Sequence, residues 1–231
     1  PNISYTLNAL GVGINEIEGI FHTHGHDDHF CGLPTLMRSD HKIKYFTTKT
    51  VRISIAKKLQ ALLNKTDDIL RDYFEIIDLA ENEWNDIGGL QVKPIFSPHP
   101  LETAIFLFRA VDAYGYKCYG HYADIIDLNT LEKWIAPDNA KIGISKQLFE
   151  QVKNDYLQTI DLKKIDAGGG LIHGNALNFK NDKSGKIILS HTSLDLTIEQ
   201  KEIGSGASFG MIDTLIPACR DYLPQKAYYF F

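Results

Sequence analysis

The chain has few of the residues that disulfide-stabilised, membrane-spanning or nucleic-acid-binding proteins need. Its three cysteines, Cys31, Cys118 and Cys219, are odd in number and far apart, so we expect no disulfide framework and no C-x-x-C site. That usage indicates a reducing compartment, and we expect the cytoplasm. No apolar run is long enough to span a bilayer, so no membrane association is expected. A net charge of −5 with scattered lysines and arginines argues against a nucleic-acid partner.

The remaining composition is that of a single globular domain. With 231 residues, of which 44% are hydrophobic and 23% charged, the chain can bury a sizeable core, and we treat residues 1–231 as one domain. Short apolar strands alternate with helical patterns, which predicts an α/β fold. Apolar Ile212, Leu215 and Ile216 predict a closing helix over Ser208–Tyr222.

Polar side chains that bind metals are concentrated in one stretch near the N-terminus. Residues 21–29 contain four of the nine histidines and two aspartates, between a predicted strand over 15–21 and a predicted helix over 32–39. His24 and His26 alternate and can point to one side of an extended loop, whereas Asp28 and His29 lie one tight turn further on. Imidazole and carboxylate together suit zinc, iron or manganese. The stretch therefore predicts two neighbouring metal positions, while His22, His41 and Cys31 are interpreted as structural.

Thr23-His24-Gly25-His26-Asp27-Asp28-His29 resembles the T-H-x-H-x-D-H signature of the metallo-β-lactamase superfamily. The resemblance implies a four-layer αβ/βα sandwich with a site at the edge where two sheets face each other. Relatives usually place β-hairpins before this motif, which the present chain reaches soon after Pro1. We therefore expect either that N-terminal strands, or a further domain, lie upstream of Pro1, or that another segment covers that sheet edge.

The resemblance also implies single ligands at later strand ends. His99, between Pro98 and Pro100 in extended geometry, would complete the first metal position with the two loop histidines. Asp124 would bridge both metals through its two oxygens, with Asp127 and His121 as competing candidates.

The last ligand has two candidates, His191 and His173. His191 follows an apolar strand and is preferred as the residue that completes the second position with Asp28 and His29. His173 would then be free to protonate the leaving group, as a histidine does in the tRNA 3′-end-processing phosphodiesterases of this superfamily. Gly168-Gly169-Gly170 is interpreted either as a backbone N–H concavity for an anion or as an ordinary turn.

The resemblance implies a hydrolase with two divalent metal ions, of which zinc is favoured and iron or manganese are alternatives. The favoured hypothesis is a phosphodiesterase in which a metal-bridging hydroxide, oriented by Asp28, attacks a small-molecule or other phosphodiester. Thioester or acyl hydrolysis, as in proteins similar to glyoxalase II, is a second hypothesis. It is disfavoured because the sequence shows no obvious basic cluster that would bind a glutathione carboxylate. A di-iron protein that binds or senses oxygen or nitric oxide is a third, and His26, where the flavin-linked reductases usually have Glu, favours hydrolysis instead. The acidic chain lacks a basic arm, so tRNA processing is not expected.

Overall fold

The structure is a computed structural model that describes residues 3–66, 68–193, 195–208, 210–216 and, for the backbone alone, 227–230. Its strands are β1 (Ile17–Phe21), β2 (Ile43–Thr47), β3 (Phe74–Asp78), β4 (Asn85–Ile87), β5 (Leu90–Ser97), β6 (Thr103–Asp112), β7 (Gly115–Tyr122), β8 (Leu162–Asp166), β9 (Lys186–Ser190), β10 (Ser205–Gly206) and β11 (Ala227–Phe230). Its α-helices are α1 (Ile3–Ala9), α2 (Asp27–Phe30), α3 (Leu33–Leu36), α4 (Lys49–Leu63), α5 (Ile69–Tyr73), α6 (Leu128–Glu132), α7 (Lys146–Leu157) and α8 (Ile198–Ile203). None of these helices is both long enough and apolar enough to cross a bilayer.

The strands form two sheets. The smaller sheet has the order β11-β1-β2-β3, and each of its neighbouring pairs is parallel. The larger has the order β10-β9-β8-β7-β6-β5-β4, in which β4 to β7 form antiparallel pairs and β7 to β10 parallel ones. Since β11 pairs with β1, the edge that we expected to lack its upstream strands is covered by a later segment of the chain.

Two hydrophobic cores fix how the sheets are layered. Phe106 and Phe108 of β6 join a core with Phe21 of β1 and Phe46 of β2, so this face of the larger sheet packs on the smaller one. The alternate residues of β6 belong to the second core, with Phe149 of α7. Successive side chains of a strand point to opposite faces, so β6 is apolar on both sides and reads as a continuous hydrophobic run.

The helices complete the layers. Helix α4 buries Val51, Ile55 and Leu59 in the first core, at the helical spacing that the sequence shows. Thr48 caps the helix, because its hydroxyl accepts a hydrogen bond from the N–H of Val51. Helices α6 and α7 bury their apolar faces in the second core. The chain is therefore an α/β protein with the four-layer arrangement, as predicted.

The predicted closing helix over Ser208–Tyr222 is wrong for the part of it that the structure describes. Residues 208 and 210–216 are not helical, and residues 209 and 217–222 lie outside the described residues. Gly210 has a φ of +79°, which a right-handed helix does not accommodate. Ile212 is 86% exposed, and both Ile212 and Leu215 line an open cavity beside Tyr119 and Ile188. These apolar residues have helical spacing in the sequence, but they do not form the buried face of a helix.

Candidate metal centre

The metal-binding loop, residues 22–30, begins where β1 ends. His22, Thr23 and His24 continue the chain in buried positions, and α2 then forms a single helical turn that begins after His26. The N–H of Ala104 at the start of β6 donates to the carbonyl of Thr23 and so links the loop to the larger sheet. The hydroxyl of Thr23 lies 3.1 Å from Nδ1 of His24, which leaves Nε2 of that ring facing the site.

His24, His26, His99 and Asp124 form the first group of potential ligands. Nδ1 of His26 lies 3.2 Å from Nε2 of His24 and 3.0 Å from Nε2 of His99. Oδ2 of Asp124 lies 3.5 Å from Nε2 of His24 and 3.6 Å from Nε2 of His99. Bonds of roughly 2.0–2.1 Å to a tetrahedral zinc place neighbouring ligand atoms about 3.3 Å apart. The four side chains therefore fit around one such ion.

Asp28, His29, Asp124 and His191 form the second group. Nε2 of His29 lies 3.3 Å from Oδ2 of Asp28 and 3.1 Å from Oδ1 of Asp124. His191 is 3.4 Å from Oδ1 of Asp124 through Nδ1 and 3.7 Å from Oδ2 of Asp28 through Nε2. These separations also fit a single cation, and the two groups share only Asp124.

Asp124 is buried at the end of β7 and presents one carboxylate oxygen to each group, Oδ2 to the first and Oδ1 to the second. Burial alone would raise the pKa of Asp124, but its contacts with the His24 and His29 rings hold that pKa well below the usual range. In the described part of the chain, the buried atoms Oδ1 of Asp124 and Nε2 of His29 lie 3.1 Å apart, but neither has a hydrogen bond of acceptable geometry. Such atoms are costly unless a further group binds them, so the site fits a cation shared by these residues.

Burial also favours the uncharged form of two imidazoles of the first group, His24 and His99. It lowers the pKa of His99 to about 4 and lowers the pKa of His24 from its usual value. A neutral imidazole has the free nitrogen lone pair that a metal requires. These two rings can therefore act as metal ligands at neutral pH.

Asp166 is a residue of the site that sequence reasoning missed. It is fully buried at the end of β8, with Oδ2 3.0 Å from Nδ1 of His173 and Oδ1 3.3 Å from Nδ1 of His191. The hydrogen bond to Asp166 raises the pKa of His191. The carboxylate also accepts backbone N–H groups of Ile125, Gly168 and Gly174. The available signal was its position, because Asp166 is the last residue of a short strand, and Asp124 also stands near a strand end.

The two candidates for the last ligand occupy different places. His191 lies beside both Asp28 and Asp124, whereas the partly exposed His173 approaches Asp124 at 3.8 Å and contacts Asp166 more closely. His191 has a φ of +56°, an uncommon conformation for a residue other than glycine, and such strain is often found at functional sites. The geometry places His191, and not His173, in the second group.

The glycine run 168–170 forms a turn. The N–H of Gly168 donates to Asp166, and the N–H groups of Gly169 and Gly170 both donate to the carbonyl of Gly174. These donors are therefore engaged within the loop, which excludes the anion-binding concavity in this structure. The turn instead carries His173 back toward the site.

The remaining sequence candidates have other partners. Asp127 caps α6 by accepting the N–H of Thr130, and Nδ1 of His121 lies 2.9 Å from the hydroxyl of Tyr119. Three residues interpreted as structural also lie outside the ligand groups, namely His22, His41 and Cys31. His22 is hydrogen-bonded to the hydroxyl of Tyr45, His41 lies beside the carboxylate of Asp40, and Cys31 is exposed.

A family model described as Anti-Pycsar protein Apyc1 matches residues 1–121, which is more than half of the chain. The chain belongs to this family. The Apyc1 protein of Paenibacillus xerothermodurans is 29% identical over 139 residues, which cover 54% of this chain and 54% of that protein.

Two relatives from Dictyostelium discoideum are longer. The cGMP-dependent 3′,5′-cGMP phosphodiesterase A is 26% identical over 197 residues, covering 74% of this chain and 23% of that protein. The cAMP/cGMP-dependent 3′,5′-cAMP/cGMP phosphodiesterase B is 25% identical over 195 residues, covering 83% of this chain and 17% of that protein. The chain therefore spans less than a quarter of these two relatives and about half of the bacterial one.

Solved structures show the same architecture. Human tRNase Z, short form, is 18% identical, with a TM-score of 0.53 over 92% of this chain and 84% of that one. YhfI of Bacillus subtilis, a metallo-β-lactamase fold protein, is 14% identical, with a TM-score of 0.50 over 86% of this chain and 76% of that one. The chain has the metallo-β-lactamase fold, which confirms the expectation from the Thr23–His29 motif.

Proposed function

We propose that the chain is a binuclear metal-dependent phosphodiesterase that hydrolyses 3′,5′-cyclic nucleotides. The observation that carries the proposal is the position of Asp124, which offers one carboxylate oxygen to each of two ligand groups. Two relatives named as cyclic-nucleotide phosphodiesterases support the choice of substrate class.

The first ion would be held by His24, His26, His99 and Oδ2 of Asp124, and the second by Asp28, His29, His191 and Oδ1 of Asp124. The mixture of imidazole and carboxylate donors favours zinc, with iron and manganese as alternatives. Two such ions would lower the pKa of a shared water and offset the negative charge of the phosphate.

The protein's own residues supply the proton transfers. The carboxylate of Asp28 is 58% exposed, so it can accept a hydrogen bond from the attacking water and orient it toward phosphorus. His173 donates Nδ1–H to Asp166, which directs Nε2 outward from that pair. When the P–O bond of the cyclic diester breaks, Nε2–H of His173 would protonate the departing ribose oxygen. Asp166 acts through His173 and is therefore a positioning residue.

The test begins with protein purified without added metal. We expect about two divalent ions per chain, and conversion of cyclic AMP or cyclic GMP to the linear monophosphate, measured by chromatography. Chelation should abolish turnover and re-addition of the metal should restore it. A preparation with both positions filled that opens neither cyclic nucleotide would rule out the proposed substrate class.

The same preparation separates the competing hypotheses. Turnover of a thioester or a lactam, with none of a phosphodiester, would favour the acyl hydrolase. A coloured, iron-rich protein whose visible band responds to oxygen would favour the di-iron alternative. Colourless zinc protein that opens cyclic nucleotides excludes both.

A further inference from the structure

Lys58 of α4 contacts the metal-binding loop at three points. Its Nζ lies 2.6 Å from the carbonyl oxygen of Gly25, forms an ion pair with the carboxylate of Asp27, and lies 4.7 Å from the centre of the Phe30 ring. We propose that Lys58 is a positioning residue that holds the loop in the geometry that retains the metal ions. The inference rests on the proposed metal centre but assigns a role to a residue outside it.

The three contacted residues are interleaved with the candidate ligands of the loop. Gly25 lies between His24 and His26, whereas Asp27 directly precedes Asp28. Phe30 follows the last ligand of the loop. One ammonium group therefore contacts a residue before the one-turn helix α2 and both its first and its last residue, so a shift of the loop along α4 would break several contacts together.

Apolar packing brings the loop close to α4 but does not fix its position along that helix. A Cβ on Gly25 would lie 3.2 Å from Cδ1 of Ile55, so the backbone of the loop runs directly over that side chain. Ile55 and Lys58 are three residues apart and share one face of the helix. Dispersion contacts with Ile55 are non-directional, whereas the hydrogen bond from Lys58 to Gly25 is directional. Lys58 therefore supplies the directional part of this contact.

The surroundings of Lys58 favour its hydrogen bond to the Gly25 carbonyl. The carbonyl of Gly25 lies outside the helices and strands and has no ladder partner. The Lys58 side chain is 34% exposed, whereas the Asp27 side chain is 92% exposed, so the ion pair is screened by water and the hydrogen bond to Gly25 is the better protected contact. The ammonium of Lys58 lies over the Phe30 ring as well as beside the Gly25 carbonyl. A substitution that keeps the aliphatic chain of the lysine and removes its charge thus isolates the positioning effect.

The experiment compares metal release from loaded Lys58→Met and wild-type protein into an excess of a colorimetric chelator. We expect release to be roughly 10-fold faster in the variant, the lower end of the range for lost support of ligand shells. The melting temperature of the metal-free variant should match that of metal-free wild type. Lys58→Arg should restore slow release, because a guanidinium can also donate to the Gly25 carbonyl and the Asp27 carboxylate.

Lys57→Met is the matched control, since Lys57 is the exposed neighbour on the same helix and should leave release unchanged. Wild-type release rates in Lys58→Met would overturn the inference, and so would faster release accompanied by an equal loss of stability in the metal-free protein. If wild-type protein bound no metal, the proposed function would fail as well. If it bound two ions but opened no cyclic nucleotide, the release assay would still decide the role of Lys58.

Discussion

His173 and Asp166 form a hydrogen-bonded pair, with Nδ1 of the imidazole 3.0 Å from Oδ2 of a fully buried carboxylate. The same carboxylate lies 3.3 Å from His191 through its other oxygen. Asp166 thus fixes the orientation of a proposed metal ligand and of a proposed proton donor at once. The proposed ligand role belongs to His191 and the proposed proton-donor role to His173, so the two roles can be tested separately.

His173→Ala should keep both metal ions and slow the hydrolysis of diesters with poor leaving groups by about 10²–10⁴-fold, the usual contribution of a general acid. Esters of nitrophenol, whose oxygen leaves without protonation, should be affected much less. The measurement is the dependence of kcat on leaving-group pKa, together with metal content. Loss of one metal equivalent would show that His173 is a ligand.

Asp124→Ala should abolish turnover and reduce metal content, because both ligand groups lose their shared member. Asp127→Ala is the control, since Asp127 lies three residues away but caps α6. That variant should cost about 0.5–2 kcal/mol of stability and keep its metal. Elemental analysis and urea unfolding measure the two effects, and normal metal content in Asp124→Ala would contradict the bridging role.

Gly174→Ala should displace the turn that carries His173. An added Cβ would lie 2.2 Å from the carbonyl oxygen of Asp166 and 2.8 Å from Cγ1 of Ile125, too close to be tolerated without movement. We expect about 1–3 kcal/mol of destabilisation and a lower kcat on alkyl diesters. Gly170→Ala meets no atom within 4 Å but has a φ of +95°, so it should lower stability while sparing the rate. Equal kcat values in the two variants would exclude this role of Gly174.

The metal-free protein should lose stability as the pH falls below about 6.5. Burial lowers the pKa of His22 to about 3 and lowers the pKa of His121 well below its usual value. Each residue binds a proton in the unfolded chain near pH 6.5 but not in the folded one. The unfolded state thus binds more protons, and each group contributes a limiting slope of about 1.4 kcal/mol per pH unit.

Urea unfolding of chelator-treated protein between pH 7 and pH 5 measures this slope. His121→Gln should make the curve shallower, because the side chain it introduces does not titrate. An unchanged slope in that variant would show that His121 is protonated in the folded state.

The candidate ligands His24, His99, Asp124 and His191 were named from the resemblance together with their positions near strand ends, and the structure brings all four to the same site. Asp166 also ends a strand, but its partner His173 follows a glycine run, and only the folded turn brings the two together. The preference for His191 over His173 rested on the strong apolar strand that precedes His191.

Local pattern and burial agree in α4, where Val51, Ile55 and Leu59 recur at helical spacing, and in the continuous apolar run of β6. The pairing of β11 with β1 could not be predicted, because it joins residues about 200 positions apart. The segment 210–216 shows the opposite failure, in which apolar spacing suggested a helix that the positive φ of Gly210 interrupts. Periodicity describes a local preference, whereas the surroundings of each residue decide whether that preference is used.

The candidate ligands of the proposed centre come from both sheets, with the Thr23–His29 loop following β1 and the other three residues following β5, β7 and β9. Neither sheet alone carries a complete binding position, so the ions can be bound tightly only after the two sheets have docked. Metal uptake would therefore be a late event in folding. Bound ions would then cross-link the two sheets at their interface. The unfolding rate of the metal-bound protein would then be limited by the separation of the two sheets.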